Sequence, residues 1–480
     1  MRKSVLLPLI LLLALLLGGV GYGVLDAYNL VPGVLTLENR SVNVPETVQL
    51  EVTETTVTAP AGINTSAKEV TPTQVQTLLA ELEKQAGGGV SSASTNGQSA
   101  DPAPASTGAR VGAVVIDTAS GKTIAQVNGD QLMTPASSSK VVAAATALHT
   151  LGPQYRFTTS ANLAGKKLYL RGNGDQLLAA GAGDPAAITG HAGLGDLAAE
   201  TAKKLKAKKL TSVQLFLDET IFGEQAMLPN WVAQSNTQYE TKPVPLAIRN
   251  GLSSPELTYG YVDDPALAAA QEFAARLKEQ GIEVGEVERA TTPKSAVKVA
   301  QVKSANLHEV THDTLKESNN MLAEVLCRAS AVKAGTGANF PGEIKVARKV
   351  LGDLKLEETG FENQDCSGLS TENKIKPELL ASIIQGAVHG KDRHLRPLIS
   401  SLPVGALDGT LHDRYLEKTA AGSVRAKTGS LQAARSLTGL VTTKSGRTLS
   451  FCVIVDSFRE GSGNVALGAI DNFVDGLASL

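Results

Sequence analysis

The sequence predicts an α/β protein of the α+β type, in which a central antiparallel sheet is flanked by helices and an inserted, mainly β module interrupts the chain. Strand-like apolar runs open the globular body at Val111 and close it over residues 424–456. Alanine-rich stretches with helical spacing lie between them, after Lys140 and over residues 265–281. Over residues 155–262 the pattern changes to short strands and turns, which predicts the insertion.

The N-terminal segment differs from an ordinary soluble chain. Arg2 and Lys3 precede 21 uncharged, mostly apolar residues at positions 5–25, about the length that crosses a bilayer. The basic flank would remain inside and the rest of the chain would lie outside. Residues 1–26 are therefore expected to form a signal anchor in the cytoplasmic membrane, and a cleaved signal peptide is the alternative. Either one places the main body outside the cytoplasm, in the cell envelope.

Residues 27–109 are expected to form an extracytoplasmic stalk and a low-complexity linker. Residues 27 to about 70 are polar and are expected to form the stalk, and residues 87–108 are a low-complexity linker with too few large apolar residues to fold. One helix is predicted between the two, at residues 71–85. The apolar face of that helix carries Val75, Leu78, Leu79 and Leu82. The globular body is expected over residues 110–160 and 262–480, with the inserted module at residues 161–261.

Composition and charge exclude some classes of function. The formal net charge is -2 and aromatic residues are 4% of the chain, so no nucleic-acid partner is expected. Cys327, Cys366 and Cys452 are the only cysteines, and an odd number leaves at least one thiol unpaired. No two of them have metal-ligand spacing. Cys327 and Cys452 are expected to be small buried apolar residues, and disulfides are not expected to be the basis of the fold.

Three short patterns occur in one order along the chain. Ser137 and Lys140 form S-x-x-K at a predicted helix start. Ser318 and Asn320 form S-x-N at a break between two predicted helices. K-T-G, at residues 427–429, opens a predicted strand. Each pattern alone is common, but the three together in these contexts indicate a serine active site.

The first two patterns have the residue types that acyl transfer requires. Residues three apart on a helix are neighbours, so Lys140 is expected beside the Ser137 hydroxyl. A serine is a weak nucleophile until a base takes its proton, and a buried lysine with a lowered pKa can be that base. The positive N-terminus of the helix favours an oxyanion nearby. Ser318 and Asn320 can both point into one cleft, as a hydroxyl relay and an amide.

The K-T-G stretch suits recognition of a substrate. Lys427 and Thr428 on an edge strand offer a cation and a hydroxyl to a substrate carboxylate. Gly429 lets the substrate backbone approach the strand closely. The first two patterns are therefore expected to carry the reaction, and the third to hold the substrate.

The residues around these patterns resemble D-alanyl-D-alanine carboxypeptidases of the class C penicillin-binding type, peptidase family S13. The stretch TPASSSKVVAAATALHTLGPQYRFTT is similar to that family's nucleophile region. LHEVTHDTLKESNNMLAEVL and AKTGSLQAARSLTGLV are similar to its second and third motif regions, and DCSGLSTENKIKP to its D-G-S-G-L-S stretch. A long insertion between the first two motifs, here from Ser137 to Ser318, also marks the family. The resemblance extends from about Arg110 to the C-terminus.

The resemblance implies a serine β-lactamase/transpeptidase-like fold and an acyl-enzyme reaction on peptidoglycan stem peptides that end in D-Ala-D-Ala. Ser137 would be acylated and Lys140 would be the base. Ser318 and Asn320 would complete the proton relay and hold the substrate. β-Lactam antibiotics would be covalent inhibitors, and no metal or organic cofactor is implied. DD-endopeptidase activity on peptidoglycan cross-links is an open addition, since both reactions attack a D-Ala carbonyl.

The resemblance also implies which residues bind the substrate. Lys427 and Thr428, beside Gly429, would hold the terminal carboxylate. The backbone N–H groups of Ser137 and Ser430 would form the oxyanion hole.

The sequence departs from the family's pattern at a few positions. Asn319 stands in the second motif where Asp is common, Cys366 replaces the usual Gly of D-G-S-G-L-S, and Thr371 stands where Arg is frequent. Asp365 and Ser367 of that stretch remain. A secondary substrate role and a structural role in a turn are equally open for these two.

The stretch HEVTH, residues 308–312, also matches the zinc-protease pattern H-E-x-x-H. A third ligand is required, but Leu315 and Ser318 stand where the extended pattern needs Gly and His. The apolar stripe of this predicted helix also leaves His308 and His312 at its edge. The stretch is therefore expected to be a solvated or capped helix flank.

A β-lactamase and a non-catalytic cell-wall-binding protein are the alternatives to a carboxypeptidase. A β-lactamase shares the fold and motifs but must hydrolyse its acyl-enzyme rapidly, and no E-x-x-L-N-like stretch follows Ser318. A non-catalytic cell-wall-binding protein would have lost the nucleophile or the base, and neither Ser137 nor Lys140 is lost. The carboxypeptidase is therefore the favoured function.

Overall fold

The computed structural model describes residues 63–87, 108–223, 226–254, 257 and 259–480. These residues fall in one compact unit, Gly62–Leu480. The predicted signal anchor at residues 1–26, and the predicted stalk as far as residue 62, lie outside the described residues. None of the helices in the described part has the length and apolarity that crossing a bilayer requires.

The described chain alternates between helices and strands. The helices are α1 (Pro72–Gly87), α2 (Lys140–Leu151), α3 (Leu194–Ala207), α4 (Pro229–Ala233), α5 (Pro265–Glu279), α6 (Leu307–Lys316), α7 (Asn320–Ala334), α8 (Phe340–Asp353), α9 (Pro377–His389), α10 (Arg396–Ser400) and α11 (Gly463–Ala478). The strands are β1 (Arg110–Asp117), β2 (Thr123–Val127), β3 (Arg156–Ala164), β4 (Lys167–Arg171), β5 (Asp175–Leu178), β6 (Ser212–Asp218), β7 (Leu246–Ile248), β8 (Glu283–Val284), β9 (Glu288–Arg289), β10 (Val297–Asn306), β11 (Phe361–Glu362), β12 (Lys374–Ile375), β13 (Val424–Leu431), β14 (Ala434–Thr442) and β15 (Thr448–Asp456).

A five-stranded antiparallel sheet forms the centre of the molecule. Its strand order is β13-β14-β15-β1-β2, so the first and last parts of the globular body are neighbours. Alternate side chains of β15 face opposite cores: Phe451 and Val453 pack on one side, Cys452 and Ile454 on the other. Because both faces of the sheet are covered, the sequence of β15 is a nearly continuous run of apolar residues. The antiparallel sheet flanked by helices confirms the predicted fold class.

Two layers of helices cover this sheet. On one face, α2 packs with α6, α7 and α9 in the largest apolar cluster. On the other face, α11 and α1 pack together over the sheet. The alanine-rich sequence of α2 lets neighbouring helices approach it closely, and all its residues from Lys140 to Leu148 are buried.

The helix predicted at residues 71–85 exists, but it is part of the globular core rather than of a stalk. Val75, Leu79 and Leu82 of α1 are buried in the same cluster as the apolar face of α11. Helical periodicity showed that this segment has an apolar face. It did not show that the partner of that face lies at the opposite end of the sequence.

The inserted module is built on a second sheet. Its strand order is β10-β3-β4-β6-β8, and β9 also pairs with β6. Helices α3 and α5 pack together on this sheet, with Ala198, Ala202 and Phe273 in one apolar cluster. The helix α5 and the strand β10 were predicted to belong to the catalytic domain, after residue 261. They pack with the second sheet instead, because the alanine-rich face of α5 fits α3.

Candidate active site

The nucleophile candidate Ser137 lies in a 3-10 turn, Ala136–Ser139, that leads directly into α2. Lys140 is fully buried, and its Nζ donates to Ser137 Oγ at 2.9 Å, to Asn320 Oδ1 at 2.7 Å and to the Ser367 carbonyl at 2.6 Å. The structure therefore brings the serine and lysine of S-x-x-K together with the asparagine of S-x-N.

The contacts of Lys140 suit a neutral amine as well as an ammonium group. A neutral amine has two hydrogens and one lone pair, so donation to Asn320 and Ser367 leaves the lone pair facing the Ser137 hydroxyl. Burial lowers the pKa of Lys140 to about 8, while Glu324, Asp365 and Glu240 act in the opposite direction. At pH 7 roughly a tenth of the molecules would then carry the neutral form.

The S-x-N pattern occupies the break between α6 and α7. Ser318 has a positive φ of 55°, a left-handed conformation that is rare for a residue with a side chain. Asn319 caps α7, because its side chain accepts the N–H of Leu322 at 3.0 Å. Asparagine caps a helix about as well as aspartate, so the departure at position 319 does not weaken this helix start. Asn320 Nδ2 donates to the Tyr239 carbonyl at 2.9 Å, which fixes the orientation of the amide.

The K-T-G residues lie on β13, an edge strand of the central sheet. Thr428 lines the groove beside Ser137, and its hydroxyl donates to Thr410 Oγ1 at 2.8 Å. Lys427 is fully buried behind it, with Nζ donating to the Thr428 carbonyl at 2.8 Å. Burial and the nearby cations Lys140 and Arg414 hold the pKa of Lys427 well below its ordinary value. Thr428 is thus the accessible member of the pair.

Gly429 lies against the nucleophile turn. A Cβ at this position would lie 2.1 Å from Ser436 Oγ and 2.7 Å from the Pro135 carbonyl. The missing side chain therefore lets the nucleophile turn approach β13, which places Ser137 beside the strand. The expectation that Gly429 also makes room for the substrate backbone stays a prediction.

A groove of about 620 Å³ is lined by five of the predicted residues, namely Ser137, Ser318, Asn320, Thr428 and Ser430. The residues that line it are Ser137, Asn236, Gln238, Tyr239, Tyr259, Ser318, Asn320, Gly368, Leu369, Thr410, Thr428, Ser430, Leu431, Gln432 and Arg435. Four of these, from Asn236 to Tyr259, come from the inserted module, and sequence reasoning missed them. Thr410 was missed as well. No spacing pattern connects these residues to the motifs, so only the folded chain reveals them.

Asp365 lies in the loop between β11 and β12 and stabilises this loop through hydrogen bonds to other loop residues. Its side chain is fully buried, and it accepts hydrogens from Trp231 Nε1 at 2.7 Å, Asn373 Nδ2 at 2.6 Å and the backbone N–H groups of Gly368 and Ser370. A carboxylate with four such partners is a structural anchor. It also joins the loop to the inserted module through Trp231.

Ser367 contributes its backbone rather than its side chain to the site. Its hydroxyl is buried and accepts the N–H of Leu369 at 3.3 Å, whereas its carbonyl accepts from Lys140. Neither Asp365 nor Ser367 lines the groove. Of the two roles left open for them, their surroundings favour the structural one.

A disulfide joins Cys327 of α7 to Cys366 of this loop. The expectation that Cys327 is only a small apolar residue is therefore wrong. Cys452 is a buried free thiol, in agreement with its prediction. The pair lies 39 residues apart, and no local pattern distinguished it from the two other pairings.

The HEVTH residues are used within the helix α6 and around it. Glu309 forms a capping box: its carboxylate accepts the N–H of Asn306 at 2.8 Å, and Asn306 Oδ1 accepts the N–H of Glu309 at 3.0 Å. His308 Nε2 lies 3.1 Å from Ser400 Oγ. His312 is half-buried, and desolvation with the nearby Lys316 lowers its pKa. The glutamate that suggested a metalloprotease is thus part of the N-terminal capping box of the helix that leads to Ser318.

Comparison with protein families gives a match over nearly the whole globular body. The sequence model of the D-Ala-D-Ala carboxypeptidase 3 (S13) family matches residues 96–261 and 260–477. Among curated relatives, a carboxypeptidase of Mycobacterium tuberculosis is 31% identical over 351 residues, which cover 71% of this chain and 75% of the relative. The carboxypeptidase DacB of Mycolicibacterium smegmatis is 31% identical over 349 residues, covering 70% of this chain and 74% of the relative.

Among solved structures, penicillin-binding protein 4 of Haemophilus influenzae shares the fold. The superposition has a TM-score of 0.65 and covers 78% of this chain and 97% of the other, at 19% sequence identity. This likeness confirms the transpeptidase-like fold expected from the motifs. With the family match over most of its length, the chain belongs to the D-Ala-D-Ala carboxypeptidase 3 (S13) family.

Proposed function

We propose that this protein is a serine-type D-Ala-D-Ala carboxypeptidase that acts on peptidoglycan stem peptides through an acyl-enzyme on Ser137. The observation that carries the proposal is the 2.9 Å contact between Lys140 Nζ and Ser137 Oγ in the groove. A serine within reach of a buried lysine has a base that can take its proton. Homologues named D-alanyl-D-alanine carboxypeptidase support the same activity.

Acylation begins with neutral Lys140. As Ser137 Oγ bonds to the carbonyl carbon of the penultimate D-Ala, Lys140 takes the hydroxyl proton. The backbone N–H groups of Ser137 and Ser430 stabilise the oxyanion of the tetrahedral intermediate. When the C–N bond breaks, the amine of the terminal D-Ala receives the proton, with the Ser318 hydroxyl as the relay. An ester on Ser137 and free D-Ala result.

Deacylation reverses these roles with water. A water molecule attacks the ester carbonyl and gives its proton to Lys140. When the new tetrahedral intermediate collapses, Ser137 Oγ leaves and recovers a proton. The products are the shortened stem peptide and the original enzyme. Lys140 is thus a base in the first half of each step and an acid in the second half.

The edge strand β13 gives the substrate its orientation. An extended peptide can add to the open edge of a sheet through main-chain hydrogen bonds. The hydroxyls of Thr428 and Thr410, 2.8 Å apart, would then meet the terminal carboxylate. Lys427 is buried behind Thr428, and its Nζ donates to the Thr428 carbonyl. The two threonine hydroxyls at this end of the groove would therefore give specificity for a free C-terminal carboxylate.

β-Lactam antibiotics are proposed as covalent inhibitors of the same serine. Penicillin-binding protein 4 of Haemophilus influenzae has been solved in complex with a β-lactam. A β-lactam offers a strained amide carbonyl to Ser137 and a carboxylate to Thr428. The site residues of the present chain therefore fit both ligands in one orientation.

The proposed site of action is the cell envelope, outside the cytoplasm, where peptidoglycan is found. The apolar run at residues 5–25, preceded by Arg2 and Lys3, supports anchoring in the cytoplasmic membrane by one N-terminal helix. Cleavage of that segment after export remains the alternative.

Mass spectrometry of peptidoglycan fragments tests the proposed function. Incubation with a stem peptide that ends in D-Ala-D-Ala is expected to release one alanine, and Ser137→Ala is expected to abolish the release. The neighbouring Ser139→Ala is the matched control, since the Ser139 hydroxyl is buried and accepts from Asn363 Nδ2 rather than from Lys140. Cleavage of cross-linked dimers in the same samples would add endopeptidase activity. Intact peptide with the wild-type protein would refute the proposal.

A further inference from the structure

Glu324 is a buried acidic residue that the reaction described above does not use. It lies on α7 four residues after Asn320, and thus on the same face of the helix. Its carboxyl group accepts the backbone N–H of Ser367 at 2.6 Å and the N–H of Cys366 at 3.1 Å. Glu324 therefore fixes the backbone of the residue whose carbonyl contacts Lys140.

The link from Glu324 to the base is short. Ser367 uses its N–H for Glu324 and its carbonyl for Lys140 Nζ, at 2.6 Å in both cases. The carbonyl is one of only two acceptors that the neutral amine can use, and Asn320 is the other. If the carbonyl moved, the amine would be free to rotate, and its lone pair would no longer be directed at Ser137.

A second buried acid, Glu343, lies beside Glu324. Carboxyl oxygens of Glu324 and of Glu343 on α8 lie within 4.8 Å of each other, and Glu343 also accepts from Arg328 Nε. All three side chains are buried, and the Arg328 guanidinium also lies over the Phe340 ring. The single positive charge of Arg328 can balance the charge of only one of the two buried acids, Glu324 and Glu343. Burial and the neighbouring carboxylates accordingly raise the pKa of Glu324 well above its ordinary value.

We propose that Glu324, through its hydrogen bonds from the backbone N–H groups of Cys366 and Ser367, is the positioning residue of the general base. It holds the Ser367 carbonyl against Lys140 and thereby directs the lysine lone pair toward Ser137. This inference rests on the proposed function, since it assigns a role in the acylation of Ser137. Glu324 touches neither the substrate nor the reacting atoms.

Lys140 faces titratable groups from several elements around it. These are Glu324 on α7, Asp365 on the loop, Glu240 beyond Tyr239 and Lys427 on β13. Burial raises the pKa of Glu240 well above its ordinary value too. Replacement of an uncharged Glu324 by an uncharged side chain therefore leaves the electrostatic environment of Lys140 nearly unchanged. The hydrogen-bond geometry can then be tested separately from the charge.

Two variants separate these effects. In Glu324→Gln the amide N–H can donate to Glu343 and the amide oxygen can accept from Ser367 and Cys366. Its penicillin acylation rate constant, counted per folded molecule, is expected to remain within about threefold of wild type. In Glu324→Leu both N–H groups lose their acceptor, and the rate constant is expected to fall by about 10- to 100-fold, since small displacements of catalytic groups have effects of this size.

The pH profile distinguishes positioning from a loss of fold. Without the Ser367 carbonyl, the ammonium form of Lys140 loses one of three acceptors. The rising limb of the Glu324→Leu profile is therefore expected to move to lower pH, while its plateau drops. Val325→Ala is the matched control, because Val325 is the adjacent buried residue of α7 and packs on Phe222 instead of the loop. It should lower the melting temperature and leave both the plateau and the midpoint unchanged.

Several outcomes would overturn the inference. A Glu324→Gln variant as slow as Glu324→Leu would show that a carboxylate is needed. A Glu324→Leu variant with the wild-type rate and midpoint per folded molecule would show a purely structural role. If the wild-type protein itself is not acylated, the proposed function fails. If it is acylated and the variants behave alike, the inference fails alone.

Discussion

At the scale of single residues, Lys140 as the proposed base would set the pH dependence of the reaction. Among the described residues, Lys140 Nζ hydrogen-bonds to the Ser137 hydroxyl, the Asn320 amide oxygen and the Ser367 carbonyl, and none of these is a carboxylate. Burial therefore dominates and lowers the pKa of Lys140 to about 8. The base becomes available close to physiological pH instead of above pH 10.

Acylation by a labelled penicillin is expected to rise with pH and to level off above about pH 8. Well below this midpoint the rate constant should increase about tenfold per pH unit, because only neutral Lys140 can take the Ser137 proton. The measurement is the second-order acylation rate constant over about pH 6–9. Thermal unfolding over the same range controls for loss of fold, and a flat profile would contradict the role of Lys140 as base.

Sequence spacing located some of these residues and missed others. Ser137 and Lys140 were predictable as a pair because a helix brings residues three apart together. Glu324, Tyr239 and Thr410 were not, because their contacts join distant parts of the chain. A buried glutamate in a helix carries no sequence signal that separates it from an exposed one.

At the scale of secondary-structure elements, the break between α6 and α7 presents the S-x-N residues. Asn306 and Glu309 fix the start of α6 with a capping box, and Asn319 caps α7. Ser318 connects the two helices with its φ of 55°. Strain of this kind costs about 1–3 kcal/mol and persists where the surrounding structure imposes it. The capping box of α6 and the Asn319 cap of α7 impose this conformation on Ser318.

Ser318→Gly is expected to be more stable than Ser318→Ala by about 1 kcal/mol. Glycine adopts the left-handed conformation without strain, and this gain exceeds its extra flexibility in the unfolded chain. Both variants lack the hydroxyl relay, so both should be acylated more slowly than wild type. Denaturant unfolding gives the comparison. Equal free energies of unfolding for the two variants would contradict a strained Ser318.

The elements themselves were largely predictable, whereas their partners were not. Periodicity and alanine content predicted α1, α2, α6 and α7, and the apolar runs predicted the strands at both ends of the body. Neither signal states which surface an element packs against. For that reason α5 was expected in the catalytic domain and α1 in a stalk, whereas α5 packs on the second sheet and α1 in the core.

At the scale of the whole molecule, α1 closes the core on one face of the central sheet. It precedes a linker in the sequence, yet its apolar face lies on α11 near the C-terminus. The folded body therefore includes residues 72–87, and a protein shortened to begin at Arg110 would expose the surface that α1 covers.

Leu82→Ala is expected to lower the free energy of unfolding by about 2–5 kcal/mol, the usual cost of a cavity in a core. The Leu82 side chain is 1% exposed. Glu83→Ala is the matched control on the exposed side of α1, and it should change stability by less than about 0.5 kcal/mol. Equal effects of the two substitutions, measured by urea unfolding, would restore the stalk interpretation of this helix.

The inserted module completes the groove that the central sheet begins. It supplies Tyr239, whose carbonyl orients Asn320, and Trp231, which binds the carboxylate of Asp365. Ser137 comes from the turn before α2, Lys140 is the first residue of α2, and the proposed substrate-binding strand is β13. The site thus depends on the module, the helical layer and the sheet together, although each motif is short.

The most direct test of the serine acyl-enzyme is to locate bound penicillin on the protein. The full-length chain is incubated with penicillin, digested, and analysed by mass spectrometry. The expected result is one penicilloyl group on the peptide that contains Ser137, absent in Ser137→Ala and present in Ser139→Ala. No adduct on the wild-type protein, or an adduct that persists in Ser137→Ala, would contradict the account.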